Sequence, residues 1–276
     1  MISPADGVPT PRQLLLRILA SGFDSHLEAS RATRACALFG HSQNNTRVAL
    51  NRLQSAGLIE SVGRGIYRLG APGRALAAEI IAWRDAESLL RDWSGGWVVT
   101  VTGALARSDR KALRARERAL ALLGLCELDS GLFVRPDNFA GGVAFVRQRL
   151  QALGLESHVP VFLASEFDAG REERARGLWA DAQLEAGYAE GQRRLEASSQ
   201  RLASLTVEDA AREAYCLGDQ AIRRLVFDPL LPAPLVNPVA RQAFRETMRR
   251  YDEAGRRIWQ RYLDSGAEPS GLATAP

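Results

Sequence analysis

Four side chains, Asn44, Arg47, Asn51 and Gln54, recur at steps of three and four residues and would share one face of a helix. Solvated helix faces are ordinarily built of Glu and Lys. This one carries three amides and a guanidinium, groups suited to paired hydrogen bonds. Arginine bonds the guanine edge bidentately and asparagine does the same to adenine, whereas a carboxylate face would be repelled by phosphate. Arg47 and Asn51 are therefore the expected base readers, with Asn44 on the same stripe and Val48 beside them for a thymine methyl. Asn45, Arg52 and the backbone at Ser42 and Gln43 are better placed for phosphates.

Positioning such a face requires a packed helix with defined ends. Thr46, Ala49, Leu50 and Leu53 form the apolar stripe that would seat it, Ser42 can cap its start, and Gly57 ends it, which predicts a helix over about 43–55. Upstream, Thr10 before Pro11 predicts a helix through Leu15, Ile18 and Leu19. Ser30 is the expected cap of a second helix ending at Gly40. Downstream, "LIESV" and "IYRL" flank Gly63, Arg64 and Gly65 and read as a hairpin. Helix, helix, tight turn, helix, hairpin is the order of a winged helix-turn-helix. The third helix would enter a major groove and the hairpin would carry Arg64 to the adjacent backbone or minor groove.

Charge agrees with this placement. Between Thr10 and Ala75 nine arginines face Asp24, Glu28 and Glu60, a local excess of six; the total being +4, the remainder stands at −2. A basic segment on a near-neutral body is the footprint of a polyanionic partner, here double-stranded DNA. The start "MISPADGVPTPRQ" has neither a basic opening nor an apolar centre, and no apolar run approaches the ~20 residues that span a bilayer, so a cytoplasmic location with no membrane partner is expected.

Signals for catalysis are thin. Cys36, Cys126 and Cys216 lie far apart, as do His26, His41 and His158, without metal-ligand spacing, and each cysteine reads as a small buried residue. Lys111 is the only lysine and no glycine-rich loop precedes it; no Ser, His and Asp arrangement suggests a nucleophile. Neither a cofactor nor an enzymatic role is expected.

The chain 1–71 is thus the expected DNA-binding domain, and 72–94 a linking helix running from about Pro72 to Arg91 before "DWSGGW" breaks it. From "WVVTVT" to "VPVFLAS" the order strand, helix, strand, strand, helix, strand predicts a ferredoxin-like βαββαβ middle domain over 95–168. Residues 169–265 read as a helical C-terminal domain interrupted by "FDPLLPAPLVNP", and 266–276, "AEPSGLATAP" among them, as a disordered tail. The fold class expected is α+β, mostly helical.

Three stretches together resemble one family, the PaaX-like bacterial transcriptional regulators: "TRVALNRLQSAGLIESVGRG", "LWADAQLEAGYAEG" and "IRRLVFDPLLPAPL", the last followed by Ala240, Arg241 and Tyr251 on a further helix. The founding member of that family represses genes of phenylacetate breakdown. The resemblance implies a homodimeric repressor of a catabolic operon, bound to an inverted-repeat operator and released by a small acyl-CoA or aromatic effector taken up in the C-terminal half. Arg223, Arg224 and Arg241 are the residues that would meet its phosphates, and Trp179, Tyr188, Tyr215 and Trp259 those that would offer apolar walls. The chain departs from the family pattern in reading "GDQAIRR" before the turn, where a His-x-Tyr is common, and "LVNPVA" after it, where a Trp-Pro-Gly is common. The linking helix (Ile80, Ile81, Leu89) and the C-terminal helices are the candidate dimer surfaces.

Two other readings stand beside this one. The middle domain also resembles the small ferredoxin-fold nucleases of CRISPR systems, which place a metal-binding Asp at the end of the first strand; here "WVVTVTGALA" has no carboxylate until Asp109. A ligand-independent architectural DNA binder fits the first segment and leaves the rest of the chain without a task.

Overall fold

The computed structural model describes residues 8–21, 26–106, 108–179 and 183–265. The tail expected after Ser265 lies outside them. The protein is a mostly helical α+β structure with two small sheets. No helix among the described residues is long and apolar enough to cross a membrane.

In chain order the elements are α1 (Pro11–Ala20), β1 (Leu27–Glu28), α2 (Ala29–Ala37), α3 (Gln43–Ser55), β2 (Ile59–Gly63), β3 (Ile66–Leu69) and α4 (Ala71–Ile81). There follow β4 (Trp97–Val101), α5 (Arg110–Leu122), β5 (Cys126–Asp129), β6 (Leu132–Pro136), α6 (Gly142–Ala152), β7 (Val161–Ala164), α7 (Ala169–Gly177), α8 (Gln183–Arg201), α9 (Val207–Val226) and α10 (Pro238–Asp264). They gather into two compact units, one of Met1–Ala82, Arg194–Ile222 and Thr247–Pro276, the other of Trp83–Arg193 and Arg223–Glu246.

In the first unit α1 starts on a capping box: Gln13 N–H bonds Thr10 Oγ1 at 3.3 Å and Gln13 Oε1 accepts from Thr10 N at 2.9 Å. Leu14, Leu15, Ile18 and Leu19 are buried on it, and it packs against α2, α3 and α4. The hairpin β2–β3 pairs Ile59 with Leu69 and Ser61 with Tyr67, and gains a third strand that periodicity did not announce: β1, two residues long, pairs Leu27 with Tyr67. Such a strand is defined by its partner, since two residues carry no alternation of their own. The cap expected at Ser30 is corrected: α2 begins at Ala29 after Glu28, with no side-chain cap, and the Ser30 hydroxyl donates to Glu28 Oε2 at 3.2 Å. The linking helix is also shorter than expected. After Ile81 the chain tightens into two 3-10 turns, Ala82–Arg84 and Ala86–Leu89, which bury Trp83 and Ala86.

In the second unit one antiparallel sheet has the order β5-β6-β4-β7, with α5 linking β4 to β5 and α6 linking β6 to β7. β4 sits inside it, pairing Trp97 with Pro136 on one side and Ala164 on the other. Val98, Ala119, Leu120, Val146, Leu150 and Val161 form the core, and Leu230 from the proline-rich turn joins them.

That turn is fastened by named bonds. Its Leu230 carbonyl accepts from Asn138 Nδ2 at 2.7 Å, and Asn138 Oδ1 accepts from Arg135 Nη2 at 2.8 Å. Arg135 is fully buried on β6, donates also to the Leu123 carbonyl, and lies over the Phe139 ring at 3.7 Å. Burial pulls its pKa down to about 9, which leaves it protonated at neutral pH. Gly124, at φ 65°, closes α5 directly beneath the turn; a Cβ there would fall 2.6 Å from Pro229 Cα.

Candidate nucleic-acid interface

Helix α3 occupies the span its sequence predicted, and Ser42 caps it by accepting from Asn45 N–H at 3.2 Å. The cap fixes where the helix begins, and hence which side chains lie on its first turns. Thr46, Ala49, Leu50 and Leu53 face inward and are buried. Ser42, Gln43, Asn44, Asn45, Arg47, Val48, Asn51, Arg52 and Gln54 are all exposed. Arg47 reaches back to Asn44, Nη2 to Oδ1 at 3.4 Å, a long bond that holds two members of the polar stripe side by side. Val48, beside them, is 39% exposed.

The turn into α3 is made by Gly40 at φ 79°. The hairpin beyond it turns at Gly65, φ 71°, with Arg64 exposed at its tip. Arg68 on the hairpin is tied to Glu60, Nε to Oε1 at 2.6 Å, so of the two it is Arg64 that extends outward at the tip.

Within the same unit the support for this surface includes C-terminal residues. Arg31 of α2 pairs with Asp264 at 2.5 Å, Arg34 lies over the Tyr262 ring at 4.8 Å, and Tyr262 OH donates to the Arg34 carbonyl at 3.1 Å. Arg212 of α9 bonds the Leu38 carbonyl at 3.2 Å, and Phe39 meets Tyr215 edge-on at 5.3 Å. Two of the basic segment's arginines thus hold α2 to α10, a use that charge counting could not separate from DNA contact.

The residues expected around an effector are divided between the two units. Tyr215 and Trp259 belong to the first unit, with ring centroids 6.1 Å apart. Trp179, Tyr188, Arg223, Arg224 and Arg241 belong to the second. There Trp179 stacks on Trp97 at 6.0 Å, Arg224 donates to the Gly187 carbonyl, and Arg223 is exposed.

Arg241 is buried and donates from Nη1 to the Leu231 carbonyl at 2.7 Å. One turn along α10, Arg245 is also buried, 3.5 Å from Glu87 Oε1. Buried with these arginines are Asp228 and, from α8, Tyr188. Burial raises the Asp228 carboxyl against the pull of the Leu230 N–H and the two guanidiniums, and burial together with Asp228 holds the Tyr188 phenol in its protonated form. Sequence reasoning missed Arg245. Its signal was the i, i+4 spacing from Arg241 on one helix face.

A nuclease centre would need free carboxylates near the end of β4. Asp109 instead caps α5, its Oδ1 accepting from Lys111 N at 2.9 Å and Ala112 N at 3.1 Å, bonds that hold its pKa below the usual carboxylate range. Asp129 accepts from Arg171 and Arg174.

Comparison with known proteins bears on these C-terminal helices. Residues 179–261 match the family model of the PaaX-like protein C-terminal domain. Over those residues the PaaX-like resemblance read from the sequence holds. Among solved structures it is similar to the uncharacterized protein Rv0674 from Mycobacterium tuberculosis, at TM-score 0.60 and 21% identity over 93% of this chain and 98% of that one. At that identity the likeness is one of fold. No curated protein matches.

An Arg52→Ala variant should weaken binding to all duplex sequences alike and flatten the dependence of log Kd on log salt by about one unit, as for one lost phosphate contact. Titrations of two unrelated duplexes across a salt series check it; a loss confined to one sequence would make Arg52 a base reader instead.

Proposed function

We propose that this chain is a transcriptional regulator that binds duplex DNA sequence-specifically, rather than an enzyme. Residues 1–71 act as a winged helix-turn-helix, joined through 72–94 to a ferredoxin-like scaffold, 95–168, which the helical part, 169–265, follows. The observation that carries the reading is the exposed stripe Asn44, Arg47, Asn51 on a capped helix whose opposite face is buried. PaaX-like proteins are transcriptional regulators, and the matched C-terminal domain supports the same role here. In this reading Arg47 and Asn51 read bases, Val48 meets a thymine methyl, and Ser42, Gln43, Asn45, Arg52 and Arg64 hold the backbone. Asn44 steadies Arg47.

The regulator acts as a homodimer repressor of a catabolic operon on an inverted repeat, because one module of this size buries too little surface for tight specific binding. Ile81 and Leu89, 38% and 39% exposed, offer apolar surface for pairing. Release by a small effector, an acyl-CoA or a related aromatic, is the family's mode of control. Hydroxyl-radical footprinting on a DNA fragment recovered by selection tests the dimer: two protected half-sites related by a dyad, about one helical turn apart or a multiple of it, are expected. A single asymmetric footprint, with a monomer by light scattering at micromolar concentration, would remove the dimer.

A further inference from the structure

A cavity that opens to solvent lies within the first unit between α1, α9 and α10. Its walls include the rings of Tyr215, Tyr251 and Trp259 and the Met248 thioether, a surface that suits a flat aromatic. Tyr251 OH already bonds Ser198 Oγ at 2.9 Å, so this residue offers its ring rather than its hydroxyl. The polar part of the lining sets Arg17 and Arg256 against Asp219 and Asp252, with Arg256 Nη2 3.2 Å from Asp252 Oδ2. Two guanidiniums and two carboxylates give no net field to draw in a multiply charged ligand. They do supply donors and acceptors for one neutral polar group.

Two glycines in the lining carry the argument further. Gly218 stands inside α9 and Gly255 inside α10, where glycine weakens a helix relative to alanine. Neither has a positive φ that would call for it. Neither is imposed by packing, since a Cβ at 218 would meet Met248 Cε at 3.7 Å and Tyr251 Cε1 at 3.9 Å, and at 255 only Ala214 Cβ at 3.5 Å, all ordinary contacts. Gly191 in α8 is different: there a Cβ would lie 2.6 Å from the Phe244 ring. At 218 and 255 a methyl would be accommodated without strain, and both positions line the cavity.

The geometry points to this cavity as the binding site of a small uncharged aromatic molecule bearing one hydrogen-bonding group, whose occupancy alters DNA affinity through α1. The helix contributes Arg17, Ile18 and Ser21 to the lining while packing against α3, the reading helix. A ligand that prefers one seating of α1 shifts the population of α3 arrangements by as much as it discriminates between them. The coupling rests on the regulator reading above; the binding does not.

The test compares benzamide, benzoate and benzoyl-CoA, one ring bearing a neutral, a singly charged and a multiply charged group, by thermal shift and calorimetry on the full chain. Benzamide should bind wild type and raise its melting temperature, with benzoate weaker and benzoyl-CoA inert. Gly218→Ala should melt higher than wild type without ligand, and its benzamide affinity should fall. Gly218→Leu, if it folds, should lose benzamide binding by tenfold or more. Unchanged benzamide affinity in Gly218→Ala, or binding of benzoyl-CoA but not benzamide, overturns the assignment. Saturating benzamide should also lower wild-type affinity for a selected duplex; binding without that loss overturns the coupling through α1. A protein that takes benzamide yet binds no DNA would leave the cavity standing and sink the regulator reading instead.

Discussion

Arg47→Ala is expected to lower affinity for the selected duplex by about 1 to 3 kcal/mol, roughly 5- to 150-fold, and Asn51→Ala by a similar amount. Both side chains are exposed on α3, and each can make two hydrogen bonds to one base. Because the loss comes from base edges, it should shrink sharply on a duplex with the contacted base pair changed, and binding to unrelated DNA should fall far less. Competition titrations of each variant against matched and mismatched duplexes measure this. Undiminished affinity of Arg47→Ala for the selected duplex would mean that α3 is not the reading helix.

Asp228→Ala should reduce stability by about 1 to 3 kcal/mol, the range for leaving buried polar groups without a partner. The cost lies in what is left behind. Arg241 and Arg245 are 3% and 1% exposed, and Glu87 lies 3.9 Å and 3.5 Å from them. The Asx bond from Leu230 N–H to Asp228 Oδ1, 2.8 Å, is lost as well, and with it one fastening of a turn that places Leu230 in the core. Asp228→Asn keeps an acceptor for Leu230 and should recover part of the loss. Urea unfolding of the three proteins gives the comparison. A decrease below about 1 kcal/mol for Asp228→Ala would show that the arginines are satisfied without it.

This cluster also shows what a sequence can and cannot announce. Helix α3 was legible to the residue because its signals are local: a Ser42 cap, an apolar stripe, a Gly57 stop. The two consecutive strands of the expected middle-domain order, β5 and β6, were legible for the same reason, with Gly131 at φ 73° turning the hairpin between them. β1 was not, since Leu27 and Glu28 are a strand only by virtue of Tyr67 and Ile66. The linking helix failed after Ile81, where burial of Trp83 and the reach of Glu87 to α10 override helix propensity. Arginines near the "DPLLP" turn read as phosphate ligands, because a sequence shows that a guanidinium is present but not whether a carbonyl awaits it; Leu231 does for Arg241, and Gly187 for Arg224. Tyr215 and Tyr188 looked alike as aromatic positions on long helices, yet they belong to different units.

Direct competition between a duplex recovered by selection from random sequence and a scrambled duplex of the same composition, at fixed salt near 0.15 M, measures sequence-specific recognition itself. The wild-type chain should prefer the selected duplex by about 10³-fold or more, the lower end of specific over non-specific binding. Equal affinities for the two duplexes, or no enrichment of any sequence in the selection, would contradict a regulator that reads DNA through Arg47 and Asn51.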